Sequence, residues 1–497
     1  MKPMTLEVAL KSGAARALIY WSAACLYPQI ADAQVAQPVS TQTTREAVAE
    51  KFYATPPFAT GGKISTPIQE PALLNADKPQ VLQGQYLARA GDCIGCHTRP
   101  GGAPFAGGLP LKTPFGVIVS TNITPDKNDG IGNYSQAQFN RLMREGVTET
   151  NHNIYPAMPY ASYARLSDDA LAALYAYLMQ GIAPVVQTNP ETDLPWPFSM
   201  RWLVKAWNWL YLPKPGYATV AKQSVEWNRG AYLVQGLGHC GACHTPRNVA
   251  GAEKANNEQK SEFFLSGAVI DGWYAQNLRS PTDGVTQNQA GLTNWTKQDL
   301  MDYLKSGHTA HTAAFGAMTE VVSNSTQHLT TADASAIAVY LKSLGSTNAL
   351  ESASESSLDT GVAKRPAQPA DASSPTTAAL RSGQVNQSGA LVYLNNCAGC
   401  HQSSGKGANA AFPSLAQSST VAASNPTSLI RIVLQGSNRP ATAASPSALA
   451  MPGLDWRLSD ANVADVLSFV RSNWGNRAEA VSPAEVATVR KALASAP

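Results

Sequence analysis

Three short stretches, GDCIGCHTRP, LGHCGACHTPRN and NNCAGCHQSS, place two cysteines and a histidine at one fixed spacing. They hold Cys93, Cys96 and His97, then Cys240, Cys243 and His244, then Cys397, Cys400 and His401. These motifs use six of the seven cysteines, and the seventh, Cys25, lies in an apolar run near the N-terminus. Any fold for this chain must therefore present the same three side chains to a common object three times. Zinc needs four ligands per ion, typically two such pairs, and three pairs do not divide into closed four-cysteine sites. A thioredoxin-like motif would sit in a βαβ pattern, whereas each pair here follows a helical stretch. Cys-x-x-Cys-His is the attachment pattern of haem c: the thiols add across the vinyl groups, and the adjacent imidazole stands beneath the iron as proximal ligand.

The flanks of the motifs repeat as well. The motifs start 147 and 157 residues apart, a spacing of domains rather than of a packed cluster. Before them come LQGQYLARAG, NRGAYLVQGLG and QSGALVYLNN, each with a glycine followed by aromatic and aliphatic residues at helical spacing. After them come LSDDALAALYAYL from Leu166, LTTADASAIAVYL from Leu329 and LSDANVADVLSFV from Leu458. Eleven residues beyond each leading leucine stands an aromatic, Tyr177, Tyr340 or Phe469, preceded three residues earlier by Leu174, Ile337 or Val466. Ser167, Thr330 and Ser459 are natural N-caps, and Asp168, Asp333 and Asp460 suit the positive helix end. The pattern predicts a mostly α fold of three tandem cytochrome c-type domains, each a small helical domain around one covalent haem, with the last helix packed on the first.

The expected organisation is a signal peptide over residues 1–33, an N-terminal extension over 34–77 and a first domain over 78–190. A Trp-rich connector over 191–223 leads to a second domain over 224–349. A Ser-, Ala- and Pro-rich tether over 350–387 then precedes a third domain over 388–479 and a tail over 480–497. The N-terminal segment carries Lys2, Lys11 and Arg16, an apolar run from Ala17 to Tyr27, and Ala31-Asp32-Ala33 before Gln34, the layout of a secretory signal. An anchor would need about 20 apolar residues. Lipid attachment at Cys25 would want an aliphatic residue where Ser22 stands. Export to the periplasmic side of the cytoplasmic membrane, with peripheral attachment, is the expectation. The net charge of +3, or +2 without residues 1–33, gives no basis for nucleic-acid binding.

Each repeat also offers a methionine between the motif and the closing helix: Met158 in IYPAMPYASY, Met318 in AAFGAMTEVV and Met451 in ALAMPGLDW. They read as loop residues, 8, 11 and 7 positions before the leading leucine, and are the candidates for the second axial ligand of an electron-transfer haem. Met143, Met179 and Met301 fit helix faces and read as core. His308 and His311 compete with Met318, and His152 competes with Met158; His239 and His328 read as ordinary polar residues.

The stretches TPFGVIVSTNITPDKNDGIGNYS, YPAMPYASYARLSDD, NRGAYLVQGLGHCGACHTPRN, FPSLAQS and LIRIVLQG resemble the triheme cytochrome c subunits of membrane-bound periplasmic dehydrogenases. Those serve alcohol, gluconate, sorbitol, fructose or aldehyde oxidation in bacteria such as acetic acid bacteria. The resemblance runs from about residue 80 to 480, and the extension before Lys78 is longer than that pattern. It implies three haem c groups on the Cys-x-x-Cys-His sites, with Met158, Met318 and Met451 as ligands. It further implies a large dehydrogenase subunit carrying pyrroloquinoline quinone, flavin or molybdopterin, in some systems with a small subunit, and ubiquinone as electron acceptor. The chain itself has no site for those catalytic cofactors and is not expected to oxidise substrate alone. A haem enzyme such as a peroxidase, with one open haem, and a free periplasmic carrier are the competing readings.

The segment PWPFSMRWLVKAWNWLYLP, residues 195–213, contains Trp196, Trp202, Trp207 and Trp209 with Arg201 and Lys205. Indoles with basic residues suit a bilayer interface. Aromatics equally suit a buried subunit contact, which is the competing reading. The closing stretch SPAEVATVRKALASAP predicts a short amphipathic helix.

Overall fold

Each Cys-x-x-Cys-His motif is entered by one helix and followed, after a long excursion, by a closing helix that returns to it. The computed structural model describes residues 67–259, 262–279, 291–344, 374–408 and 411–495. The expected signal sequence with Cys25, residues 34–66 of the extension and residues 350–373 of the tether lie outside the described residues. The opening helices are Pro79–Ala90, Val225–Tyr232 and Ala390–Asn396, the second running on as a π-helical turn, Leu233–Leu237. The closing helices are Asp168–Ala176, Thr331–Ser343 and Asp460–Ser472. Their starts are set by the caps the sequence offers: the hydroxyls of Ser167, Thr330 and Ser459 accept from the backbone N–H of Ala170, Asp333 and Asn462. The described residues also form three two-stranded antiparallel hairpins: Pro110–Thr113 with Gly116–Val119, Ala268–Ile270 with Trp273–Ala275, and Gly436–Asn438 with Ala450–Pro452.

A glycine in or just ahead of each opening helix explains why the helix pair can cross so closely. A Cβ built on Gly84 would lie 1.9 Å from the Ala173 carbonyl oxygen, and one on Gly230 would lie 2.0 Å from that of Ala336. Gly389 makes the same approach to the Asp465 carbonyl. Buried aromatics flank these crossings. Tyr340 meets Trp227 edge-on at 5.0 Å, and Tyr393, Phe469 and Trp474 form a trio with centroids 5.0–5.7 Å apart.

The first two repeats share one apolar core, running from Val81 and Leu87 through Leu171 and Tyr177 to Val234, Ile337 and Tyr340. Asp333, itself buried, ties them together. It accepts from Arg229 at 2.7 and 2.8 Å and from the Tyr86 hydroxyl at 2.5 Å. Burial alone would raise this carboxyl, but the bonds from Arg229 and Tyr86 and the Arg229 charge outweigh it and hold Asp333 below its ordinary value. A depressed folded pKa means that the contribution is complete above the unfolded carboxylate value, about 3.9, and is lost as pH falls through the lower folded value. Asp333→Asn is expected to cost about 1–2 kcal/mol, allowing for the partial exposure of Arg229. The loss should be present at neutral pH and shrink in acid, as read by denaturant unfolding at several pH values.

The third repeat has its own core, built around Tyr393, Leu434, Val466, Leu467 and Val486. It meets the second through a polar seam. Ser428 accepts from the Tyr274 N–H at 2.7 Å, the Gln276 amide donates to Thr420 at 2.7 Å, and Arg431 lies 4.4 Å over the Trp273 ring.

Several segments depart from the expected boundaries. Residues 67–77 are tied down: Glu70 bonds Arg89 at 2.5 and 2.8 Å, and the Ile68 N–H donates to Asn324. Residues 374–387, read as tether, contain a helix, Pro375–Ser382. It starts on a proline suited to a first turn, and Thr377 and Leu380 are buried. The tail folds into the helix Pro483–Ala494, begun by a capping box between Ser482 and Glu485, with Val486 fully buried. Arg490 pairs with Asp460 at 2.7 Å, so this helix belongs to the third repeat. Among the described residues no helix is long and apolar enough to cross a membrane.

Candidate functional site

Five residues that span one helical turn make up each motif. The N–H of His97, His244 and His401 donates to the carbonyl of Cys93, Cys240 and Cys397 at 3.0, 2.9 and 2.9 Å. The turn puts both cysteines and the histidine on one side of a short helix. A second contact pins each histidine backbone: its carbonyl accepts from the N–H of Gly107, Gly267 and Gly407 at 2.7, 2.8 and 3.0 Å.

The rings are oriented in the same way three times. Nδ1–H of His97 donates to the Thr121 carbonyl at 2.7 Å, that of His244 to the Gln276 carbonyl at 2.7 Å, and that of His401 to the Pro413 carbonyl at 3.0 Å. A carbonyl only accepts, so Nδ1 carries the proton and Nε2 keeps its lone pair. Burial pulls all three imidazoles below their ordinary pKa, against the upward pull of these bonds, so they are neutral near pH 7. A neutral imidazole with its second nitrogen tied to a carbonyl is what a metal-ligating histidine requires. Two hairpins deliver these carbonyls, since Thr121 and Gln276 follow the strands Gly116–Val119 and Trp273–Ala275.

The surroundings of the thiols are not those of a redox pair. Burial pushes those of Cys93 and Cys240 up to about 12, whereas a reactive Cys-x-x-Cys works through a lowered pKa. Among the described residues no group of three or more His, Cys, Asp or Glu side chains gathers to hold a metal ion, as a zinc site would need. Two thiols beside an imidazole with a free Nε2 form the donor set of a covalently attached haem.

The candidate distal methionines lie in three different settings. Met158 sits in a bend just before the turn Tyr160–Tyr163 and packs on the shared core. Met318 is on a helix, Ala317–Asn324, rather than in a loop; the chain enters this helix through Gly316 at φ 56°. Met451 is in the strand Ala450–Pro452, opposite Ser437, and packs on the third core. Of the rival histidines, His152 is exposed and bonds Thr150. His308 faces a pocket shared with Ala408, Phe412, Pro413 and Arg439 of the third repeat, and its buried Nδ1 has no hydrogen-bond partner among the described residues. The His308 carbonyl accepts from the Ser306 hydroxyl at 2.9 Å, and the His311 N–H donates to the Thr309 hydroxyl at 3.1 Å.

His239 does more than an ordinary polar residue. Its ring packs edge-on against Tyr163 at 5.9 Å, and Nε2 meets the Gly91 carbonyl at 3.4 Å, where the Tyr163 hydroxyl also donates. Gly91 and His239 lie two residues and one residue ahead of their motifs, so the first two motifs face each other across this contact. Gln276 plays the matching part on the other side. Its carbonyl orients His244, and its side chain reaches Thr420 of the third repeat.

Comparisons with known proteins agree with this geometry. The Cytochrome c family model matches residues 81–181 and 387–474. The chain is 47% identical over 421 residues to the gluconate 2-dehydrogenase cytochrome c subunit of Pantoea cypripedii, covering 84% of this chain and 90% of the relative. It is 43% identical over 420 residues to the cytochrome c subunit of the alcohol dehydrogenase (quinone) of Gluconobacter oxydans, covering 84% and 83%. To the fructose dehydrogenase cytochrome subunit of Gluconobacter japonicus it is 37% identical over 434 residues, covering 85% of each. Similarity at this level over most of both chains, on a helical fold whose cysteine and histidine turns suit covalent haem, makes this chain a member of the family of cytochrome c subunits of dehydrogenase complexes.

Proposed function

We propose that the chain carries three covalent haem c groups and passes electrons from the catalytic subunit of a periplasmic dehydrogenase to ubiquinone. Cys93 and Cys96, Cys240 and Cys243, and Cys397 and Cys400 attach the haems. His97, His244 and His401, together with Met158, Met318 and Met451, would hold the irons. The observation that carries this reading is the threefold recurrence of one turn with its histidine Nδ1 bound to a backbone carbonyl. Haem iron supplies reversible one-electron transfer; the protein fixes its ligands, sets its surroundings and holds successive sites close. The contacts of Gly91 with His239 and of Gln276 with Thr420 support a path that runs through the second motif. Which substrate class the dehydrogenase oxidises is a property of its catalytic subunit.

The test is haem counting on the protein purified with its dehydrogenase, followed by substrate-driven reduction of a ubiquinone analogue. Three haems per chain and quinone reduction support the proposal; two haems, or reduction of the haems without onward transfer to quinone, defeat it. Met158→Ala is expected to leave the haem count unchanged. One haem should turn high-spin, and its midpoint potential should fall, because His/Met ligation raises the potential. Redox titration followed by absorbance reads both effects.

A further inference from the structure

The helix Trp202–Tyr211 presents its apolar side outward. One face is tied to the protein: Val204 is buried, Trp207 Nε1 donates to the Ala250 carbonyl at 3.0 Å, and Asn208 accepts from the Tyr160 hydroxyl at 2.7 Å and donates to the Glu145 carbonyl at 2.9 Å. These anchors fix the rotation of the helix. On the opposite face Trp202 is 64%, Trp209 85% and Leu210 61% exposed, and nearby Trp196 is 79% exposed. Trp202, Lys205, Ala206 and Trp209 follow the i, i+3, i+4, i+7 rhythm of a single face. The sequence grouped Trp196, Trp202, Trp207 and Trp209 without distinction; the structure turns Trp207 toward the protein and leaves the other three exposed.

We infer that this face lies in the headgroup region of a bilayer containing anionic phospholipid, which gives the chain its peripheral membrane contact. Two observations select lipid over protein as the occupant. Residues 194–225 contain Arg201, Lys205, Lys214 and Lys222 and no Asp or Glu, which complements an anionic surface. Lys205 stands within the apolar face, between Trp202 and Trp209. Lysine is depleted from the centre of protein interfaces, whereas at a bilayer it lays its stem along the apolar layer and lifts its ammonium to the headgroups. Indoles prefer the same depth. A ten-residue helix lies in the plane of the interface and does not span it.

The inference rests on reading the chain as a peripheral electron-transfer subunit, so the experiment separates the two. The haem-loaded protein is sedimented with vesicles of phosphatidylglycerol and phosphatidylcholine, and tryptophan quenching by brominated lipid is recorded. Binding and quenching are expected for the native protein. The double variant Trp202→Ser, Trp209→Ser should partition roughly tenfold or more weakly and lose most of the quenching. Lys205→Glu, a surface change that leaves the packed face intact, should weaken binding to anionic vesicles and flatten its salt dependence. Unchanged partition of either variant, with a native haem spectrum, overturns the membrane face. So does a double variant that binds vesicles normally but no longer co-purifies with its dehydrogenase, which would make the face a subunit contact. Reduction of the haems by the dehydrogenase in detergent tests the electron-transfer reading independently of vesicles.

Discussion

Replacing both Cys240 and Cys243 by alanine is expected to lower the haem content to about two thirds of the native value, since the proposed function gives the chain three attachment sites and one of them is removed. Electron delivery to quinone should fall to background, a far larger loss than the missing third. The reason is position: the second motif touches the first through His239 and Gly91, and its ring-orienting residue Gln276 reaches the third repeat. Without a centre between them, the outer sites lose their connection. The matching double change at Cys397 and Cys400 should remove the same amount of haem. Haem content by alkaline pyridine spectra and quinone reduction with the dehydrogenase measure both. A Cys240, Cys243 variant that keeps near-native quinone reduction would rule out a path through the second site.

Gly230→Val should be strongly destabilising. The position where its Cβ must go is 2.0 Å from the Ala336 carbonyl oxygen and 2.8 Å from the Tyr340 Cβ, so the opening and closing helices of the second repeat have to separate. Overpacking a crossing of this kind costs about 3 kcal/mol. That corresponds to a melting temperature lower by roughly 10 °C for a folding unit of this size. The obstacle is backbone, which a rotamer change cannot clear. Thermal melts followed by circular dichroism read the shift, and a Gly230→Ala variant should lie between the two. Equal melting of the valine variant and the native protein would mean that the helices do not cross at Gly230.

What sequence could supply depended on how local each device is. The motifs, the caps at Ser167, Thr330 and Ser459 and the glycine-aromatic crossings are encoded within a few residues, so spacing alone revealed them. The carbonyls of Thr121, Gln276 and Pro413 that orient the histidines are backbone atoms, and no side-chain identity marks them. Asp333 was legible as a helix-start acid but not as the clamp on Arg229 and Tyr86, because Tyr86 is 247 residues away. Met318 read as a loop residue because glycine precedes it; its helix is fixed by the burial of Val322 and Ser323, a tertiary effect. Composition carried the tether reading past Ser374, since a helix of Thr and Ala with one buried Leu380 looks like a linker until its docking site is known. Choosing between Trp207 and Trp209 likewise required knowing which side of their helix Ala250 and Asn208 hold.

The division between a shared core and a polar seam sets how this chain comes apart. Repeats one and two draw on the same apolar cluster, so neither can lose its packing without exposing the other, and they melt as one cooperative block. The third has a separate cluster and is joined by hydrogen bonds and a cation–π contact that water can replace. No single free energy of unfolding describes such a molecule: its stability is two numbers, and a substitution moves only the one whose core it touches.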